Sequence, residues 1–299
     1  MFRVSFFEFG IYVNIVALSI GVAIMLNMVS LGCISVLVGF LGSLTGLGGA
    51  SILVPLLVLL GIPVKEAIAS GMVAIMATSS GSAASYVRER ITNVKVAMYL
   101  EMFTITGAIV GATITTIIAP IYLYFFFAAF LLSSFFKFRP VNQDFVPAQS
   151  QDRVSRWLDL SGSYFDEATR RTIEYRVTHA ILGGIGMLVA GLAAGMLGIG
   201  AGAFKVTVQE NILRMPPKVS STTSNFIIGM TALAGVSVYL FSGLLNLTLM
   251  APMAIGTTIG AVAGGRVLNR IGDKSLRILF LVVVVLLILQ MLYKGVASL

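Results

Sequence analysis

The chain is 299 residues long, 58% hydrophobic and 11% charged, with 20 Lys+Arg against 12 Asp+Glu for a net charge of +8. Its mean hydropathy is +0.99, and a soluble domain with about 25% charged residues looks very different. No soluble core of this size hides so much apolar sequence, which argues against a cytosolic enzyme, a secreted mini-protein or a nucleic-acid binder. The single Cys33 allows no internal disulfide. This composition belongs to an integral membrane protein.

A helix needs roughly 20 apolar residues to cross a bilayer core. In chain order the apolar stretches run from Phe6 to Asn27, Leu31 to Thr45, Ala50 to Leu60, Ala67 to Val87, Val94 to Ala119 and Ile121 to Phe136. The first, preceded by Arg3, has the form of a signal peptide but lacks a small-residue cleavage site, and is read as a retained helix. Asn27 to Ser30 is a poor turn, so residues 6–45 form either two spans or one bent helix. A polar interval from Lys137 to Arg176 holds 13 of the 32 charged residues and Trp157. In it Ile173, Tyr175 and Val177 alternate with Thr172, Glu174 and Arg176, a period of two that suggests a short β-hairpin; an irregular linker is the other reading. Further apolar stretches follow at Thr178 to Leu197, Ala201 to Leu213, Val219 to Phe241, Leu247 to Gly265 and Leu276 to Leu292. They are too long and uniform for barrel strands, so all are expected to be helices.

The chain also resembles itself. At an offset of 152, Gly39, Gly46 and Gly48 match Gly191, Gly198 and Gly200. At an offset of 153, Pro63, Lys65, Thr78, Tyr86, Asn93, Thr104, Gly107 and Gly111 match Pro216, Lys218, Thr231, Tyr239, Asn246, Thr257, Gly260 and Gly264. Two copies of one unit follow from this. The expected division is an N-terminal membrane helix (1–29), a first transmembrane repeat (30–136), a cytoplasmic linker (137–177) and a second transmembrane repeat (178–299). If every stretch crosses, 16 of the 20 basic residues fall on one side, as the positive-inside rule requires. About five crossings per copy is an odd number, so the copies run in opposite directions, as in secondary transporters with a midplane site between inverted repeats. The expected fold class is therefore all-α: a polytopic membrane protein of two inverted repeats, one short segment in each, with a small cytoplasmic β-hairpin insert.

The short segments point to a site. Each follows a glycine-rich turn, Gly46, Gly48 and Gly49 in the first copy and Gly198, Gly200 and Gly202 in the second. A helix starting there would direct free N–H groups and a positive dipole end into the protein, an arrangement suited to an anion. Alternatively the glycines only permit close helix packing, the reading preferred for Gly107, Gly111, Gly256, Gly260 and Gly264. Ionisable residues in apolar stretches are Glu8, Glu101, His179, Lys205 and Glu210. Intramembrane charge is costly and functional by default. Lys205, whose counterpart is Leu53, is an anion ligand, a partner of Glu210 or a snorkelling chain. Glu101 and Glu210 either carry protons or sit at an interface, and His179 reads as interfacial. Ser70, Thr78 and Ser79 in one copy, and Thr223, Asn225 and Thr231 in the other, offer neutral hydrogen bonds to an oxyanion or ordinary contacts between helices. No Gly-x-Ser-x-Gly or His-Glu-x-x-His occurs, one His and one Cys make no metal cluster, and no nucleotide motif has the right context.

At these residues the chain resembles the sulfite exporter TauE/SafE family. The likeness rests on Gly39-Phe-Leu-Gly-Ser-Leu-Thr-Gly-Leu-Gly-Gly-Ala-Ser-Ile-Leu-Val-Pro55, on the Ala-Ile-Ala-Ser-Gly-Met that follows, and on a degenerate second copy from Gly191 to Gly202. It covers roughly residues 30–293. Thr207 stands where a second proline is usual and Ser70-Gly71-Met72 where a Thr-Ser pair is, whereas Thr223-Ser224 fits. The resemblance implies transport of sulfite, sulfonates or related organosulfur anions across the cell membrane; the residues alone reach only a transporter of an anion. Thiosulfate importers that use several pathway cysteines are a poor match for one Cys33. A small anionic substrate and membrane lipid are the expected partners, with no nucleic acid and no cofactor; homo-oligomerisation stays open. The alternatives are a proton- or cation-coupled carrier of another solute working through Glu101 and Glu210, and an intramembrane enzyme needing His179.

Overall fold

The computed structural model describes residues 28–41, 50–88, 91–137, 151–166 and 170–268, with isolated positions between 285 and 296. Gly46, Gly48, Gly49, Glu8, the whole first apolar stretch and most of the last lie outside the described residues. The helices are α1 (Met28–Leu41), then α2 (Ala50–Leu59), α3 (Val64–Arg88), α4 (Val94–Ile117), α5 (Pro120–Lys137) and α6 (Arg153–Trp157). Strands β1 (Gly162–Asp166) and β2 (Arg171–Tyr175) follow, then α7 (Ala180–Leu197), α8 (Gly202–Asn211), α9 (Pro217–Phe241) and α10 (Leu247–Leu268). The protein is thus mostly helical with a small two-stranded sheet. Among the described residues α4, α7 and α9 are long and apolar enough to cross a membrane, while α1 and parts of α5 and α10 are shorter apolar helices.

Local chemistry sets the boundaries. Asn93 caps α4, its side chain accepting from the Val96 amide at 3.1 Å, and Pro217 opens α9 at a position whose N–H would go unused. Gly198 ends α7 in the left-handed region, φ 66°, with its N–H donating to the Ala194 carbonyl at 2.9 Å. The segments expected at Ala67–Val87 and Ala201–Leu213 are α3 and α8.

Glycine makes the helix contacts. A Cβ added at Gly191 on α7 would sit 2.2 Å from the Thr104 carbonyl oxygen on α4, and one at Gly39 on α1 would sit 2.3 Å from that of Thr257 on α10. Likewise Gly107 on α4 faces the Leu188 oxygen at 2.2 Å, and Gly260 on α10 faces the Val36 oxygen at 2.0 Å. In each pairing both residues are the sequence matches of the other pairing, so α4 against α7 is packed as α10 is against α1. Only a residue without a side chain allows backbones this close. Between these two helix pairs α3 lies against α9, where the Ser79 hydroxyl donates to the Asn225 carbonyl at 2.5 Å.

One apolar core gathers around α2, α3 and α5 with Leu197, Ile199 and Tyr239, and a second around α4, α7, α8 and the start of α9. The hairpin closes the second core: Leu160, Tyr164, Tyr175 and Val177 pack with Val96, Leu100 and Met215. The strands are antiparallel, Gly162 opposite Tyr175 and Asp166 opposite Arg171. Val177 lies past the end of β2, although the alternation runs through it. The Tyr175 hydroxyl accepts from Asn93 Nδ2 at 2.8 Å, and burial pushes its phenol above the usual range, so it stays neutral. Nearby, Lys95 pairs with Asp159 at 2.5 Å with both side chains exposed; the lysine's hydrogen bond holds the Asp159 carboxyl below its ordinary value. Outward faces of the long helices carry large apolar residues at helical spacing, such as Ile181, Ile185 and Val189 on α7 and Ile255, Ile259 and Val262 on α10. A surface of this kind is suited to lipid.

Candidate functional site

The turn between α7 and α8 is buried from Gly198 to Gly202. Gly198, Gly200 and Ala201 all take positive φ, at 66°, 71° and 50°. For Ala201 that conformation costs of order 1 kcal/mol and is held by its surroundings. This strained turn reverses the chain so that α8, only ten residues long, starts inside the protein. Its N-cap supplies no side-chain hydrogen bond. The expectation for Gly46, Gly48 and Gly49 lies outside the described residues.

Lys205 follows on the first turn of α8 and is fully buried. Its ammonium does not turn to Glu210, which is half-buried at the far end of the same helix. It donates instead to the Thr231 hydroxyl on α9 at 3.0 Å. On the other side of that hydroxyl, 3.3 Å away, is Glu101 Oε1 on α4. Glu101 is 3% exposed, and its Oε2 has no hydrogen-bond partner. Three helices thus converge on one chain of polar atoms, ammonium, hydroxyl and carboxyl. Full burial also removes the snorkelling reading for Lys205, because no part of it reaches solvent or an interface.

Sequence reasoning named Lys205, Thr231 and Glu101 separately and did not bring them together. It missed Gln209, one helical turn after Lys205 and on the same face. Gln209 is fully buried, and neither its Oε1 nor its Nε2 has a hydrogen-bond partner. The signal was present: a glutamine four residues after a lysine inside an apolar stretch. An unpaired buried amide is costly, of order 1–3 kcal/mol.

The remaining polar residues lie elsewhere. Ser70 on α3 is fully buried with an unpartnered hydroxyl. Thr78 bonds back to the Ala74 and Ile75 carbonyls of its own helix at 3.0 Å. Thr223 accepts from the Asn93 amide at 3.2 Å, near the hairpin, and Asn225 contributes its carbonyl to Ser79. His179 is exposed at the start of α7, its Nδ1 3.2 Å from the Thr178 hydroxyl. Among the described residues no group of three or more His, Cys, Asp or Glu could hold a metal ion.

Such a buried acid, hydroxyl and base can hold a small charged solute or a proton between helices. Known proteins point the same way. The signature of the sulfite exporter TauE/SafE family matches residues 31–291. The probable membrane transporter protein YunE of Bacillus subtilis (strain 168) is 22% identical over 287 residues, covering 91% of this chain and 100% of its own. The probable membrane transporter protein YdhB of the same organism is 24% identical over 246 residues, 82% of this chain and 90% of its own. No solved structure matches. With a match across nearly its whole length, the chain belongs to the sulfite exporter TauE/SafE family of membrane transporters.

Proposed function

We propose that the protein is a secondary transporter carrying a small sulfur oxyanion or organosulfonate, of the sulfite or sulfonate type, across a prokaryotic plasma membrane. In this reading the chain crosses the membrane many times as two inverted repeats, and alternating access takes place at the interface between them. The reciprocal packing of α4 on α7 and of α1 on α10 supports two equivalent units. The gathering of 16 of the 20 basic residues on one side of a ten-crossing arrangement supports their inversion.

The observation that carries the anion reading is the buried Lys205 ammonium. A cation enclosed by helices costs several kcal/mol unless a counter-charge comes to it. It donates to one hydroxyl, and an ammonium has three N–H groups to give. The amide of Gln209 lies one turn away with its hydrogen-bonding capacity unused. A tetrahedral or pyramidal oxyanion supplies both the charge and the acceptors.

Methanesulfonate and sulfite should therefore stabilise the purified protein against heat. At a hundred times Kd the shift corresponds to about 2.7 kcal/mol. Lys205→Met should abolish the shift while the variant still folds, because it replaces a buried cation by an apolar chain of similar length. Stabilisation by neither anion would contradict the proposal, as would full stabilisation of Lys205→Met.

A further inference from the structure

The Thr231 hydroxyl has one hydrogen and two acceptors competing for it. The Ile227 carbonyl lies at 2.7 Å and Glu101 Oε1 at 3.3 Å. The hydroxyl can therefore serve either state of the acid: its hydrogen goes to a Glu101 carboxylate, or it goes to the Ile227 carbonyl while a protonated Glu101 and Lys205 donate to its lone pairs.

The matched positions of the other copy sharpen this. α2 and α8 coincide at the offset of 152, so Lys205 corresponds to Leu53 and Gln209 to Leu57, both fully buried. Thr231 corresponds to Thr78 and Glu101 to Ala254. The hydroxyl is thus present at both matched places, whereas Glu101 of the first copy and Lys205 and Gln209 of the second are each replaced by an apolar residue at the matched position.

Among the described residues, the other charged or titratable groups on the packed elements lie elsewhere. Lys95 on α4 and Lys218 on α9 are exposed at their helix starts, and α7 carries none. Tyr99 is half-buried two residues earlier on α4, and the Tyr239 hydroxyl donates to Gly195. On α3, Lys65 donates to the Thr116 carbonyl, and Glu66 is beside it in the first turn. Glu210 is at the end of α8. Lys205 is the charge that acts on Glu101.

We propose that Glu101 and the transported anion exchange as counter-ion of Lys205, so that one proton enters Glu101 as each anion arrives. In the empty, ionised state the carboxylate compensates the ammonium. When the anion takes that place, a proton from water adds to Glu101 Oε1, Thr231 turns its hydrogen to Ile227, and the site keeps the same net charge. Anion and proton then travel together, which makes the carrier a proton–anion symporter. This rests on the anion reading above.

Two measurements test it, with methanesulfonate as the probe because its own charge does not titrate over the range used. Calorimetry in buffers of different ionisation enthalpy should count up to one proton taken up per anion bound. Affinity should fall by up to about tenfold per pH unit once the empty protein's Glu101 has ionised. In Glu101→Gln both the proton count and the pH slope should go to zero, whatever the affinity. Infrared spectra should show a carboxylic-acid C=O band that grows on adding methanesulfonate and is missing in Glu101→Gln. Binding without proton uptake, a slope that survives in Glu101→Gln, or no Glu101 band at any pH at which the protein is folded would overturn the coupling and leave the anion site standing. Failure of methanesulfonate and sulfite to bind while the band is present would overturn the substrate reading and the coupling with it.

Discussion

Among the described residues several fully buried polar side chains tie helices together. Tyr239 on α9 buries its whole ring and donates its hydroxyl to the Gly195 carbonyl on α7 at 2.6 Å. That bond crosses between helices in a dry place, so Tyr239→Phe should cost about 1 kcal/mol, read as a lower Tm in detergent without loss of anion response. Unchanged Tm would mean the bond contributes nothing net. Lys95 and Asp159 behave differently, because both side chains are exposed and salt screens them; their pairing orders the hairpin against α4 without deciding stability. Lys205 and Glu101 were legible in the sequence, since a lysine or glutamate in an apolar stretch stands out, whereas Gln209 was passed over. Their association was not. Lys205 and Glu101 meet only because α4 and α8 come together on either side of α9, and no periodicity encodes that.

At the scale of elements, close glycine contact sets how the helices pack. Gly107 and Gly191 let α4 and α7 approach until backbone atoms touch. Gly107→Leu should force the pair apart, at a cost of about 3 kcal/mol or more given that the obstructing atom is a backbone oxygen. The expected readout is a sharp loss of Tm and of monodisperse protein, while Gly32→Ala, where an added Cβ meets only Pro252 at 3.9 Å, should be far milder. Equal effects of the two would refute the packing role. The long helices were legible from length and hydropathy alone, and β2 from its alternation. β1 was harder, because Gly162-Ser163-Tyr164-Phe165 does not alternate: Tyr164 packs inward and Phe165 outward, but both are aromatic. The five-residue α6 was missed. It is too short to show a period and is set by Asp152, whose side chain accepts from the Ser155 amide at 3.3 Å.

Across the whole molecule, the family match and the two Bacillus relatives establish a membrane transporter, and the physical reading adds how it would work. Repetition in the sequence and reciprocity in the contacts describe a scaffold of two like halves. The polar set breaks that likeness at Lys205, Gln209 and Glu101, whose matched positions are Leu53, Leu57 and Ala254. In the proposed function such a scaffold rocks between two states, and the asymmetric polar set holds the solute. The net charge of +8 resolves in the same terms: most basic residues lie in or at the edges of the polar segments between apolar stretches, whereas Lys205 is fully buried. The most direct test is counterflow in proteoliposomes loaded with unlabelled sulfite or methanesulfonate. The account predicts that labelled substrate accumulates transiently with the wild-type protein and that Lys205→Met is inactive while correctly inserted. Absence of counterflow with either anion, or full counterflow in Lys205→Met, would contradict it.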